Sequence, residues 1–420
     1  MDKTTSGTTP RHNRVICIPF SPSVKDYIKT VYDHVKFRAS LDAMIKQFPE
    51  LYPAEITAGY RMKDIKESKK LSIPIRRIEI SGVSHTIRPS FVMPYMTGFV
   101  KDVEKGLFLR KHDVPFWGIS YVLGRNAMYW YRIEKSLGRN SLVGTTIRNP
   151  EDLPEHLIAD EKHTRILGEK VYVATTVGNG CVLGTSVATD AGEESLTTAY
   201  GVFKDEAQCV KPDYTPKTVN TDGWIATQNA WKTIFPYVFL IACFLHVYIK
   251  IRDRSKNKFK DIYEQVVSKL WDCYHAENKA SFSQRVRRLY EWGKKTSIPS
   301  FMMGKIEKLR NNMASFSIAY DFPGSHRTSN MLDRLMQRMD RHLYSTQYFH
   351  GSLCSAELSI RGWALILNFA PSNPTTIKKH NGSQSPAERL NQFRYHDNWL
   401  QNLLISASLG GYRSPPHNAL

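Results

Sequence analysis

Residues 157–188 read LIADEKHTRILGEKVYVATTVGNGCVLGTSVA. LIAD is a short apolar strand ending in Asp160. KVYVATTV and CVLGTSVA are two more strands, split by Gly178-Asn179-Gly180. Asn-Gly suits a two-residue hairpin turn, because both turn residues take positive φ. Working outward, a helix is predicted from about Glu193 to Gln208, and KTVNTD is a strand ending at Asp222. A helix from Gly223 to about Ile234 follows, and then VFLIA, read as a fifth, fully buried strand. The element order is therefore β-β-β-α-β-α-β.

That order is the one found in the RNase H-like fold, an α/β class with a mixed sheet flanked by helices, where the first and fourth strands lie side by side. Asp160 and Asp222 would then meet at neighbouring strand ends. Either acid alone reads as an ordinary turn carboxylate, so their joint placement is what carries meaning. Phosphodiester cleavage by two metal ions needs such convergence, since hard divalent cations take oxygen ligands and the pair sits roughly 3.5–4 Å apart.

The blocks themselves resemble those of DDE/D-type insertion-sequence transposases. IADEKHTRILGEKVYVATTV is similar to their first catalytic block and TVNTDGW to the second. Cys243 and His246, in CFLH, resemble the C/D(2)H signature of Mutator-like and hAT transposases that carry helical insertions. HRTSNMLDRLMQRMDR resembles the third block, which places the last acid at Asp333, three residues after Asn330. The family's usual residue there is Glu, so this chain would be a DDD variant, with Asp340 and Glu357 as the other candidates.

The resemblance covers roughly residues 157–369. It implies a transposase in which Asp160, Asp222 and Asp333 hold two Mg²⁺ (or Mn²⁺) ions, with cleavage of element ends followed by 3′-OH strand transfer. It also implies double-stranded DNA partners (terminal inverted repeats and target) and a homo-oligomer, with no membrane and no small-molecule substrate. The setting would be intracellular and DNA-associated, in a prokaryote. Two alternatives stay open: an RNase H-like nuclease or resolvase without strand transfer, and a non-enzymatic DNA-binding protein descended from a transposase.

Composition points the same way. Lys and Arg number 58 against 39 Asp and Glu, a net charge of +19, and a strongly positive surface most often meets nucleic acid. The six cysteines are scattered without a CxxC pair, which argues against a disulfide framework or a zinc ribbon. Cys243 and His246 alone make no closed zinc site, and packing at a strand-to-helix junction accounts for them. The leader MDKTTSGTTPRHNR lacks an apolar run, so no signal peptide is expected. Residues 237–251 are apolar but short for a bilayer and carry His246 and Lys250.

Upstream, Ser21-Pro22 reads as an N-cap with proline at N1, opening a helix through Val24, Ile28, Val31 and Val35. A second helix is predicted from Pro53 to about Lys66, and a β-hairpin over Ile73–Ile87. Two helical patterns flank Gly124-Arg125-Asn126 between Pro115 and Leu137, as in a helix-turn-helix. Its second helix would present Arg132, Lys135 and Arg139 to DNA, with Arg125 at the turn; a helical linker with a solvated basic face would look similar.

Downstream, His326 and Arg327 could meet phosphate, and Glu161 and His163 sit beside Asp160. A basic all-helical segment, including KNKFK (256–260), reads as an insertion whose Trp271 and Trp292 fit a core better than a stacking platform. SLCSAELSIRGWALILNFA would pack on the sheet, PSNPTTIKKHNGSQSP is a polar linker, and Glu388–Leu409 forms a last helix. The expected division is 1–70 (helical, DNA-binding), 71–150 (β-ribbon and helix-turn-helix), 151–250 and 321–375 (core), 251–320 (insertion) and 376–420 (tail).

Overall fold

In the computed structural model, which describes residues 14–20, 24–255 and 259–412, nine strands form two sheets among the described residues. The first holds β1 (Val15–Ile18), β2 (Arg61–Ser68), β3 (Ile73–Ile80) and β4 (Val83–Pro89), in the order β1-β4-β3-β2. The predicted hairpin is thus the centre of a four-stranded sheet. This sheet crosses the expected boundary at 70/71.

The second sheet holds β5 (His156–Ile166), β6 (Glu169–Gly178), β7 (Cys181–Ala188), β8 (Thr218–Thr221) and β9 (Phe239–Ala242), ordered β7-β6-β5-β8-β9. β5, β8 and β9 run parallel, while β6 and β7 are antiparallel to their neighbours. The first and fourth strands of this sheet are adjacent, in the register His156↔Thr218 to Ile158↔Asn220. Asn179 (φ 49°) and Gly180 (φ 81°) form the two-residue turn between β6 and β7, where the mirror-image turn matches the strand twist.

Alternation along β5 and β6 sends side chains to two different cores. Leu157, Ala159, Tyr172 and Ala174 pack under helices Glu193–Val210 and Ile225–Ile234. Ile158, Val171, Val173 and Val177 face the other way, toward Leu332 and Met336 of helix Asn330–Ser345 and Trp363 of helix Leu353–Phe369. Helices between Phe244 and Ser317 build a separate core around Val266, Leu270, Phe282 and Ile306. No helix among the described residues is long and apolar enough to cross a membrane.

Several expectations need correcting. The first helix stops at Tyr32, and Asp33 caps a second helix, His34–Gln47, by accepting from the Val35 and Lys36 amides. Val35 is consequently exposed rather than part of one continuous apolar face. Pro53 to Lys66 is not helical: a 3₁₀ turn, Ala54–Ala58, leads into β2, because Gly59 at φ 99° ends it and pairing with β3 captures the rest. β5 does not end at Asp160 but runs on to Ile166, since β6 goes on pairing with it. VFLIA is an edge strand with Phe239 about half exposed, not fully buried. The linker contains a helix, Pro374–Lys379, and Glu388–Leu409 is split into Pro386–Asn391 and Trp399–Ser406. Leu400, Leu403, Leu404 and Ile405 are fully buried, so the tail is part of the main core. Residues 1–13 of the leader, the Ser21-Pro22 cap and Lys256–Lys258 of the KNKFK run lie outside the described residues.

Candidate active site

Asp160 lies two residues past Ile158 on β5, and Asp222 two residues past Asn220 on β8, so the paired register carries both acids to the same edge of the sheet. Helix Asn330–Ser345 brings Asp333 in its first turn. Helix Phe244–Ser255, entered directly from β9, brings His246. Single ligand atoms of Asp160, His246 and Asp333 lie within 4.8 Å of one another, and all three residues are partly buried. Asp222 stands outside that group. Its Oδ1 accepts the Trp224 amide at 2.7 Å, yet its charge is felt by both Asp160 and His246.

The electrostatics are those of gathered acids. Burial, then the negative charges of Glu161 and Asp222, push the Asp160 carboxyl up to about 7, with Asp333 adding to the effect. Burial holds the His246 imidazole below its usual range against the pull of Asp222 and Asp333. Its Nδ1 is buried and makes no hydrogen bond to protein. A buried polar atom in that state is costly unless something else meets it.

Asp333 is held in place from behind. Ser329 donates through Oγ to Asp333 Oδ2 at 2.9 Å, while Cys243 Sγ, at the end of β9, accepts the Ser329 amide at 3.2 Å and lies 3.2 Å from Ser329 Oγ. Asn220 Nδ2 donates to the His326 carbonyl at 2.9 Å, and the Phe244 amide to the Arg327 carbonyl at 3.1 Å. These bonds tie the segment before Asn330 to β8 and β9. Cys243 thus bonds to Ser329 at the strand-to-helix junction, whereas His246 lies with the acids. Ser329 and Asn220 were missed from sequence. The only signal was Ser329's position just before a predicted helix.

The other candidates fall into place by their partners. Asp340 forms an ion pair with Lys162 at 2.6 Å, and Glu357 accepts from Ser186 Oγ at 3.0 Å. Glu161 points to the opposite face of the sheet, where its Oε1 accepts from Tyr200 (2.8 Å) and Thr227 (2.6 Å). His163 packs edge-on to Tyr172, ring centres 4.8 Å apart. Arg327 is sandwiched between the rings of Tyr274 and Tyr320, and His326 is partly buried. Trp271 packs against Tyr248 and Tyr274, and Trp292 lies under Lys269.

The two helices around Gly124-Arg125-Asn126 are present, as Phe116–Leu123 and Ala127–Leu137, with Asn126 capping the second. That second helix is mostly committed inward. A Cβ on Gly362 would lie 2.2 Å from the Glu134 carbonyl oxygen, so helices 127–137 and 353–369 cross in near backbone contact. Lys135 Nζ donates to Ser355 at 2.7 Å, and Arg139 covers the Tyr95 ring. Arg125 and Arg132 are exposed, beside exposed Trp117, Tyr121 and Met128.

No protein-family model matches this chain, and no curated protein matches it.

Proposed function

We propose that the chain is a metal-dependent DNA phosphodiester enzyme of the DDE/D transposase type, with an RNase H-like core, cutting element ends and joining 3′-OH ends to target DNA. The observation that carries the reading is the convergence of Asp160, Asp333 and His246, with Asp222 close by, from four separate elements. The strand order, with the first and fourth strands parallel neighbours, supports the RNase H-like assignment.

The donors fit divalent cations. A buried carboxyl, Asp160, whose affinity for protons is raised by burial and by neighbouring acids, beside an imidazole nitrogen without a hydrogen-bond partner, forms a set that a cation would relieve. Asp160, Asp333 and His246 would hold one ion, and Asp222 with Asp160 a second. Bound there, Mg²⁺ or Mn²⁺ would supply charge that acidifies an attacking water and stabilises the leaving 3′ oxygen. The protein's own part is positional. Ser329 fixes the Asp333 carboxylate, the β5–β8 register sets Asp160 beside Asp222, and the Trp224 amide holds the Asp222 carboxylate. An imidazole in the set makes Mn²⁺ a better probe of binding than Mg²⁺.

The test is cleavage and joining of a DNA duplex bearing the element's own ends, with Mn²⁺ or Mg²⁺. Asp160→Asn, Asp222→Asn and Asp333→Asn should each remove cleavage while leaving DNA binding within a few-fold. Cleavage without joined products would favour a nuclease. Retained cleavage in the Asp333 variant would overturn the assignment of the third acid.

A further inference from the structure

A cavity of about 590 Å³ opens beside the helix that carries Asp333, within the roughly 300–1,000 Å³ typical of small-ligand sites. Its walls come from helix 330–345, the end of helix Val100–Lys111, the β6–β7 turn at Gly180 and the segment after Phe369. Five cationic side chains line it: Lys111, Arg334, Arg338, Arg341 and Arg389. The one carboxylate in the lining, Asp113, is taken up by Arg341 at 3.1 Å.

The spacing i, i+4, i+7 puts Arg334, Arg338 and Arg341 on one stripe. At roughly 100° per residue that stripe adjoins the face of Asp333, and Arg338 lies only ~7.5 Å further along the axis. Lys111 is buried, its Nζ held by the carbonyl oxygens of Ala370 (2.5 Å) and Pro371 (2.7 Å). Burial, then Arg338 and Arg389, push its ammonium down to about 7. These cations repel one another, and an anion between them would turn repulsion into attraction. Guanidinium forks match phosphate oxygens in particular.

We propose that this cavity is a phosphate-binding site taking one or two phosphates of a nucleic-acid strand that leads to the acidic cluster. That the phosphates belong to a strand rests on the function proposed above; the phosphate chemistry rests on the cavity alone.

The test is binding of a fluorescently labelled five-nucleotide single strand to the full chain in EDTA. Exposed Arg334 and Arg338 are changed together to Ala, and exposed Lys25 and Lys29 are changed to Ala as an equal loss of charge elsewhere. The arginine pair should weaken binding about tenfold. It should also lower the slope of log affinity against log salt by roughly 1.4, at ~0.7 per phosphate of a single strand. The lysine pair should cost less than about twofold. A strand with two uncharged methylphosphonate linkages should lose affinity for the unaltered protein and lose nothing more against the arginine variant. Equal losses from both variants, or equal methylphosphonate losses in both proteins, would overturn the proposal. Displacement by pyrophosphate at or below the strand's own Kd would move the site to a free phosphorylated molecule and remove the strand. Because no metal is present, binding lost only in the arginine variant upholds the cavity even if metal-dependent cleavage fails.

Discussion

One helix, Asn330–Ser345, ends in two polar clusters of opposite character. Near its C-terminus, His342 sits with Arg110 and Glu134, all essentially inaccessible to solvent. Arg110 donates to Glu134 at 2.7 Å and contacts His342 Nδ1 at 2.9 Å. At the other end, Asp333 sits with Asp160 and His246, where the charges acting most on Asp160 are negative. Both clusters combine histidine and carboxylate; the difference is the cation. Where the chain supplies its own Arg, the cluster fastens three helices together. Where none of the described residues supplies one, a metal cation would complete the cluster if the function proposed above holds.

The largest effect expected from this contrast is on stability. Arg110→Leu would strand a buried carboxylate and should cost about 3–5 kcal/mol in urea denaturation. A loss below about 1 kcal/mol would mean that the first cluster is not charge-balanced in the way described.

Next, adding Mn²⁺ at about 100 times its Kd should raise stability by roughly 2.7 kcal/mol in the unaltered protein. The gain should vanish in Asp160→Asn and Asp333→Asn, and Arg110 variants that still fold should keep it. A comparable gain in the two Asn variants would detach the metal from these acids.

Without metal, the sign reverses for Asp160. Its carboxyl is raised to about 7 in the folded chain, so the stability it contributes is whole below about pH 4 and is lost as pH rises through about 7. In EDTA at pH 8, Asp160→Asn should therefore be more stable than the parent, with the two about equal at pH 4. The smallest effect is at the prop: Ser329→Ala should cost about 1 kcal/mol of stability. Its weakened Mn²⁺ binding in a calorimetric titration would be the sharper readout.

Much of the second sheet was legible because its signals are local. The Asn179-Gly180 turn, the alternation through 157–188 and the Asp222 strand end follow from φ preferences and side-chain period, and each appears close to where it was expected. The failures were long-range. Arg61–Ser68 became a strand because β3 offered it partners 5 to 18 positions along the chain, beyond the reach of its own local pattern. The helix Ala127–Leu137, amphipathic and basic in sequence, is drawn inward by Gly362 on a helix more than 200 residues away. His246 looked like half of a packing motif, since nothing in CFLH reveals what lies opposite it.

The sequence by itself determined the identity of the acids, their order along the chain and the secondary elements they sit on, because turn chemistry and hydrophobic period act over a few residues. Only the tertiary structure decided which acid is ion-paired with a basic side chain and which is held by a neutral hydroxyl. Asp333 and Asp340 lie on the same helical face, and it is Lys162, arriving from β5, that takes one of them. Electrostatic environment is a sum over neighbours in space, and those neighbours are brought together only by folding.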